Sequence, residues 1–162
     1  MMSTRKIAYV AVLAALYVVL GQLTRFIPNP MVPGANVALN MTVVVIAGIL
    51  LGPTAGGLVG LIGTLLNALS PAGNAYEYWA IVPHGIMGLA AGAARRAPLV
   101  LAALTIVVGH ALNIIAFVIA GLLPANQVTA SVFSVGLLVE VVIDVVVISV
   151  VVPLLRPLLK PS

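Results

Sequence analysis

Arg5-Lys-Ile-Ala-Tyr-Val-Ala-Val-Leu-Ala-Ala-Leu-Tyr17 places two cations directly before an apolar run that continues to Leu23. Cations also lie beside the later apolar runs, at Arg95, Arg96, Arg156 and Lys160. If the chain crosses a bilayer six times, all of these cations fall on one side and Arg25 falls on the other. Membrane proteins carry their excess of Lys and Arg in cytoplasmic loops. The pattern therefore predicts a bundle of six transmembrane helices with both termini in the cytoplasm.

The composition also indicates a membrane domain. Of the 162 residues, 63% are hydrophobic and only 6% are charged, and the mean hydropathy is +1.30. A soluble domain carries about 25% charged residues, so this chain could not cover a surface that faces water. We therefore predict a single all-α integral membrane domain surrounded by lipid. The formal charge of +4 comes mostly from cations beside the apolar runs, so it does not predict a nucleic-acid partner.

The predicted spans lie within one domain, residues 1–162. They are approximately 7–24, 36–51, 54–69, 79–94, 98–122 and 129–155. A bilayer core requires about 20 helical residues, whereas the second to fourth spans have about 16 each. We expect these three to extend into polar flanks or to lie inside the bundle. The first run resembles a signal peptide, but its length and the five runs after it favour a retained span.

The connections differ between the two sides of the predicted bundle. The cytoplasmic breaks are short, at Gly52-Pro53 and at residues 93–98, and Pro53 is well placed to begin a helix. The predicted outer loops are longer, and they are Thr24–Asn36, Ser70–Tyr78 and Leu123–Thr129. Binding residues are often found on loops. The sequence therefore predicts a binding function on the outer side.

Small residues form stripes on three predicted helices. In lipid, close approach of small residues is a main source of helix packing energy. For the third and fourth spans we expect packing inside the bundle, and the residues are Gly52, Gly56, Gly60, Gly63, Gly88 and Gly92. On the first helix, Ala8, Ala11 and Ala15 share a face. That face either packs internally or forms a docking surface for another subunit.

Ionisable residues at membrane depth are costly and mark function by default. Here they are His84, His110, Glu140 and Asp144. Equal depth predicts that His110 pairs with Glu140, with Asn113 on the same face as His110. A buried network of His110 with Asp144 that only fixes helix packing is the structural alternative, and a proton relay on the same residues is another. No ligand spacing supports a metal site, and no nucleophile elbow or phosphate loop supports an enzyme, so we expect no metal, no cofactor and no catalysis.

The segment Asn74-Ala-Tyr-Glu-Tyr-Trp79 is the most polar and aromatic stretch of the chain. Tyr and Trp at this level often form a belt at the lipid headgroups. Alternatively, Tyr78 and Trp79 stack on a planar heterocycle, Glu77 accepts its N–H groups, and His84 lies below. The asparagines near this level add neutral donors and acceptors, and they are Asn36, Asn40 and Asn67. Such a site favours a neutral or cationic ring compound over a multiply anionic one.

Several motifs together resemble the substrate-binding S components of prokaryotic energy-coupling factor (ECF) vitamin transporters. They are the opening segment quoted above, Ala11-x-x-x-Ala15, Gly48-Ile-Leu-Leu-Gly-Pro-Thr-Ala-Gly-Gly57 and Trp79 before a Gly-rich helix. The resemblance covers essentially the whole chain. It implies a subunit of the prokaryotic cell membrane that captures a micronutrient with high affinity on its outer side.

The resemblance also implies partners, namely a transmembrane coupling subunit and two cytoplasmic ATPase subunits. On this reading Ala11 and Ala15 dock the coupling subunit. The ligand site would include Glu77, Tyr78 and Trp79 together with the polar residues Asn36, Asn40, Asn74, His84, His110, Asn113 and Glu140. Met2 stands where the cobalt and nickel members have a histidine, which argues against a metal ligand. The candidate ligands are thiamin or its pyrimidine precursor, a pyridine vitamin, riboflavin and a deazapurine.

A second function class uses the same buried groups. His110, Glu140 and Asp144 form the residue set that an ion-coupled secondary carrier or a proton-relay membrane protein requires. This alternative predicts uptake that depends on a proton gradient rather than on ATP.

Overall fold

The computed structural model describes residues 2–29, 35–71, 73–126 and 135–159. Within these ranges the regular structure is helical, which confirms the predicted all-α class. The α-helices are α1 (Thr4–Thr24), α2 (Met41–Leu51), α3 (Pro53–Ala68), α4 (Ala75–Ala93), α5 (Leu99–Ala103), α6 (Ile106–Ile119) and α7 (Val135–Leu155). Short 3-10 helices follow α4 and α7, at Ala94–Arg96 and Arg156–Leu159.

Three stretches are long and apolar enough to cross a membrane, and they are Thr4–Thr24, Leu99–Ile119 and Leu138–Leu159. The second stretch contains both α5 and α6, which are separated by a turn at Leu104 and Thr105. Helices α2 and α3 are apolar but shorter. The structure therefore supports a multi-pass membrane protein, and the count of six spans remains a proposal.

Helix α2 lies at the centre of the bundle. All residues from Met41 to Ile49 are buried. The helix contacts α1, α3, α4, α6 and α7. Its polar side chain, Thr42, donates a hydrogen bond to the Leu39 carbonyl at 2.7 Å, so no unsatisfied hydroxyl enters the core there. A short apolar run placed inside the bundle agrees with the expectation for this segment.

Glycines allow α2, α3 and α4 to approach closely. A Cβ at Gly56 would lie 2.6 Å from the Gly48 Cα, and a Cβ at Gly48 would lie 2.7 Å from the Gly88 carbonyl oxygen. At Gly92 a Cβ would overlap the backbone of Gly52 and Pro53. The predicted internal role of the glycine stripes is thus confirmed for these positions. Gly52 itself ends α2 at φ 93°, a conformation that glycine adopts without strain.

Helix α1 exposes its alanine face, for which the sequence allowed either internal packing or docking of a partner. Ala8, Ala11 and Ala15 are exposed, whereas Val10 and Ala14 are buried against the bundle. The alanines therefore do not pack internally in this chain. A free small-residue face of this kind meets the geometric requirement for a partner helix.

Candidate functional site

A polar cavity of about 70 Å³ lies at one end of the bundle. Its walls come from the first turns of α4, the middle of α6, Glu140 on α7, and the segment between α1 and α2. The predicted site residues that line it are Asn36, Asn74, Glu77, His84, His110, Asn113 and Glu140. The structure thus brings most of the predicted polar set into one cavity.

Backbone hydrogen bonds join residues 27–29, after α1, to residues 35–37, before α2. The N–H of Asn29 donates to Ala35 at 2.9 Å, and the N–H of Val37 donates to Ile27 at 3.0 Å. Pro28 and Asn36 form an isolated antiparallel bridge. These bonds hold both ends of the segment together and set Asn29, Ala35 and Asn36 against the cavity.

His84 is fixed from both ring nitrogens. Nδ1 lies 2.8 Å from the Tyr17 hydroxyl and 2.9 Å from the Thr64 hydroxyl, and Nε2 lies 3.0 Å from Asn113 Nδ2. Each ring nitrogen of His84 therefore has a hydrogen-bonding partner on another helix, Tyr17 and Thr64 at Nδ1 and Asn113 at Nε2. Gly63 makes this contact possible, since a Cβ there would lie 2.9 Å from Tyr17 Cγ.

Glu77 lies in the first turn of α4, where a carboxylate is favoured by the helix dipole. Asn74 caps this helix, because its side chain accepts the Glu77 N–H at 3.2 Å. The Glu77 carboxylate interacts electrostatically with the Asn67 side chain. Its second oxygen, Oε2, is buried and has no hydrogen-bond partner within the described part of the chain. This oxygen is enclosed by surrounding protein atoms.

Glu140 binds the segment before α2. Its Oε1 accepts the Ala38 N–H at 2.8 Å, and its Oε2 accepts from Asn29 Nδ2 at 3.3 Å. His110 instead faces Asp144, with Nε2 to Oδ2 at 3.5 Å. The predicted pairing of His110 with Glu140 is therefore wrong. Equal depth along two helices does not fix which way each side chain points, and Asp144, one turn further along α7, is the residue that faces α6.

The structure corrects the placement of Tyr78 and Trp79. Both are about half exposed and lie on the outer face of α4, in an apolar groove that α4 forms with α6. Successive helical residues turn by about 100°, so Tyr76, Glu77 and Ala80 face the cavity while Tyr78 and Trp79 face away. In this arrangement the two aromatics cannot stack on a ligand held in the cavity.

Tyr76 and Phe117 provide the aromatic wall instead. Their rings meet edge to face, with centroids 4.9 Å apart and planes at 84°. The Tyr76 hydroxyl donates to the Leu122 carbonyl at 3.1 Å. Sequence reasoning missed Phe117, although it lies four residues after Asn113 and seven after His110, which is the spacing of one helical face.

Asn40 lies apart from the cavity. It is only 2% exposed, it precedes α2 without capping it, and its Oδ1 has no partner within the described residues. The expectation that Asn40 closes the site is therefore not supported by its position.

The chemistry of the cavity is that of hydrogen-bond recognition. It presents two carboxylates, two imidazoles and several amides, and no Lys or Arg appears among its described lining residues. In the described part of the chain no three His, Asp or Glu side chains converge as metal ligands do. No nucleophile with an adjacent base is seen among the lining residues either. The arrangement suits binding of a small polar molecule.

Comparison with known proteins gives the family. Residues 1–160 match the family described as "ECF-type riboflavin transporter, S component". The chain belongs to this family. The recognition of an ECF S component from the sequence is thereby confirmed.

Curated relatives match part of this S component. A UPF0397 protein of Enterococcus faecalis (strain ATCC 700802 / V583) is 34% identical over 96 residues, which are 59% of this chain and 50% of that protein. A UPF0397 protein of Streptococcus pneumoniae (strain CGSP14) is 36% identical over 92 residues, 57% and 48% of the two chains. The chain thus spans about half the length of the curated relatives it matches. No solved structure shows a significant match.

Proposed function

We propose that this S component is the high-affinity substrate-capture subunit of an ECF-type importer. Its substrate is a small water-soluble vitamin or a related heterocycle, and it carries out no catalysis itself. The observation that supports this most is the polar cavity at one end of an apolar bundle, lined by the residues that the sequence singled out as polar at membrane depth.

In this proposal the chain crosses the membrane six times with both termini in the cytoplasm. The cavity then opens toward the outer side, because Arg95, Arg96 and Arg156 follow the opposite ends of α4 and α7, which line it. The exposed face of Ala11 and Ala15 binds the transmembrane coupling subunit, which two ATPase subunits drive. Both alanines are exposed as this requires.

Binding requires the cavity to expand. Sites for drug-sized ligands have volumes of about 300–1,000 Å³, whereas this cavity measures about 70 Å³. The contact of Glu140 with Ala38 and Asn29 joins α7 to the segment that forms one wall. Release of this contact is the simplest movement that enlarges the site.

The proposed function is tested by uptake in cells that express this chain with or without the coupling and ATPase subunits. The substrate to follow is the compound that copurifies with the protein, identified by mass spectrometry. The proposal predicts uptake that needs the energising subunits, fails on ATP depletion and survives a proton uncoupler. Uptake that collapses with the uncoupler but survives ATP depletion would instead support an ion-coupled carrier.

The positions of His110, Glu140 and Asp144 argue against the carrier alternative. A relay through His110, Glu140 and Asp144 needs a continuous chain of contacts. His110 contacts Asp144, but among the described residues no hydrogen bond joins Glu140 to either of them. We therefore place the capture subunit first.

A further inference from the structure

A groove lies on the outside of the bundle, at the end opposite to the polar cavity. Its mouth has a volume of about 210 Å³, and the polar residues that line it are Ser3, Arg5, Lys6 and Tyr9. The mouth leads into an apolar part of about 190 Å³, which lies between α1, α2 and the 3-10 helix that follows α7. Tyr9 and three leucines line both parts, so the two form one continuous groove.

The polarity of the groove changes in the same order as the polarity of a lipid molecule. Arg5, at the mouth, is in the first turn of α1, whereas Val12, in the apolar part, is roughly 10 Å further along this helix. The facing wall of the apolar part includes Leu155 and Leu158. A phospholipid has its phosphate at the membrane surface and its acyl chains toward the centre of the bilayer. The groove therefore matches both ends of such a molecule.

In the described part of the chain, no carboxylate neutralises the cations at the mouth. The sequence contains three acidic residues, Glu77, Glu140 and Asp144. Glu77 and Glu140 line the polar cavity, and Asp144 faces His110. Among the described residues, no ion pair involves a lysine or an arginine. The positive charge at the mouth therefore attracts anions from outside the chain.

Three basic side chains concentrate positive charge at this mouth. Arg5 is oriented by Tyr9, whose hydroxyl accepts from Arg5 Nε at 2.9 Å and whose ring centroid lies 5.6 Å from Arg5 Cζ. Lys6 and Arg95 both approach Gly52, since a Cβ at Gly52 would lie 3.9 Å from Lys6 Nζ and 2.7 Å from Arg95 Nη1. Like charges at such distances repel each other, and the N-terminal dipole of α1 adds to the positive potential. A bound anion relieves this repulsion.

We infer that this groove binds one anionic phospholipid, with its phosphate on Arg5 and Lys6 and an acyl chain along the apolar part. Basic pockets between helices on the cytoplasmic side of membrane proteins bind such head groups. With the proposed orientation, the lipid belongs to the cytoplasmic leaflet. Ala11 and Ala15 do not line the groove, so the lipid site is distinct from the proposed docking face. The site is also independent of the ligand that the cavity holds.

The experiment is native mass spectrometry of the detergent-purified full chain, titrated with two lipids that have the same acyl chains. Dioleoylphosphatidylglycerol is anionic, and dioleoylphosphatidylcholine has no net charge. We expect one saturable phosphatidylglycerol site per chain, with an affinity about tenfold or more above that for phosphatidylcholine. Equal affinity for the two lipids would overturn the inference. Displacement of the lipid by equimolar glycerol 3-phosphate would also overturn it, because the site would then recognise a soluble phosphate.

Charge variants distinguish this groove from the general attraction of the basic residues at this end of the bundle. Arg5→Gln should weaken phosphatidylglycerol binding about fivefold, and Arg5→Gln combined with Lys6→Gln should weaken it further. Arg96→Gln removes the same charge from a residue that does not line the groove, and it should bind like the wild type. All variants are compared at equal helicity and monodispersity. An equal loss in Arg96→Gln would overturn the site, because only diffuse attraction would remain.

A second matched pair tests the apolar part of the groove. Leu158 and Leu154 are 69% and 68% exposed, and of the two it is Leu158 that lines the groove. Leu158→Asn should therefore weaken phosphatidylglycerol binding severalfold, and Leu154→Asn should not. Unchanged affinity in Leu158→Asn would show that no acyl chain lies there.

A protein partner in the same groove would give a different result. If Arg5→Gln combined with Lys6→Gln keeps the lipid but no longer captures the coupling subunit, the groove is a protein-docking surface and the inference is wrong. ATP-dependent uptake by the wild type tests the proposed function separately, so either proposal can fail without the other.

Discussion

At the scale of single residues, the aromatic wall distinguishes this site from the one that the sequence predicted. Phe117 lines the cavity and meets Tyr76 edge to face, whereas Trp79 lies outside it on the lipid-facing groove. Phe117→Ala should therefore weaken binding of the copurifying compound by about 0.5–1.5 kcal/mol beyond the lost contact area, which is roughly two- to tenfold in Kd. Trp79→Ala is the matched control and should bind like the wild type in the same titration.

The reverse result would return the site to the outer face of α4. If Trp79→Ala loses affinity while Phe117→Ala keeps it, with both variants equally helical and monodisperse, the cavity is not the binding site. The apolar groove between α4 and α6 would then hold the ligand.

Residue spacing predicted the cavity wall better than residue type did. Glu77 and His84 are seven residues apart, so one face of α4 carries both, and the structure places both at the cavity. Tyr78 and Trp79 were grouped with them because of their aromatic rings, although the helix turns them away. For Glu140 and Asp144 the sequence indicates depth along α7 but not the direction of each side chain, and the rotation of α7 about its axis decides which carboxylate meets His110.

At the scale of helices, the contact of α2, α3 and α4 depends on the absence of side chains. A Cβ at Gly56 would lie 2.6 Å from the Gly48 Cα, whereas a Cβ at Gly57 would approach the flexible Leu89 side chain to 3.0 Å and the Gly85 carbonyl oxygen to 3.6 Å, an ordinary van der Waals distance. Backbone cannot move aside as a side chain can. We therefore expect Gly56→Ala to lower the thermal midpoint in detergent and the monodisperse yield.

Gly57→Ala is the neighbouring control on the same helix. Alanine favours a helix over glycine by about 1 kcal/mol, so this variant should be near neutral or slightly stabilised. Equal midpoints for the two variants would show that α3 does not pack against α2 through Gly56.

The exposed alanine face of α1 makes a prediction about assembly. Ala11→Trp or Ala15→Trp should abolish uptake while leaving ligand affinity nearly unchanged, because a bulky ring holds a partner helix away. Leu16→Trp adds the same ring on a neighbouring exposed face and should keep most of the uptake. Unfolding of the alanine variants in detergent, or uptake as impaired in Leu16→Trp, would contradict docking through this face.

The ends of α2 and α3 differ in how well the sequence predicts them. The Gly52-Pro53 break marked the end of α2 and the start of α3, since glycine tolerates the positive φ and proline fits the first helical turn. The start of α2 was less visible. It begins at Met41, five residues after the start of the predicted span, because residues 37–40 are engaged in hydrogen bonds to Ile27, Glu140 and the first turn of the helix.

At the scale of the whole molecule, the orientation follows from the cations and is open to direct test. The chain has no cysteine, so single introduced cysteines report their own accessibility. A cysteine at Ala125 should react with a membrane-impermeant maleimide on intact cells, and one at Ala97 should react only after lysis. Labelling of the Ala97 position from outside, or protection at Ala125, would refute six spans with cytoplasmic termini.

The fold class and the family could be predicted from the sequence, because composition and the order of motifs do not depend on the direction of side chains. The residues of the site could be predicted only in part. Its ionisable and amide residues could be predicted because they occur within apolar stretches of sequence. Tyr17 and Thr64, which contact His84, could not be predicted in this way. Their role depends on how α1, α3 and α4 pack together.

The central claim is that this cavity holds the captured ligand, and an occlusion variant tests it most directly. Ala80 lines the cavity, and the added atoms of Ala80→Leu would project from the α4 wall into the space that the enlarged cavity must offer the ligand. The measurement is mass spectrometry of the small molecule retained by purified wild type, Ala80→Leu and Ala90→Leu, the last being a control on α4 away from the cavity. The account predicts a heterocycle at nearly one per chain in the wild type and the control, and none in Ala80→Leu. An empty wild type, or equal retention by folded Ala80→Leu, would contradict it.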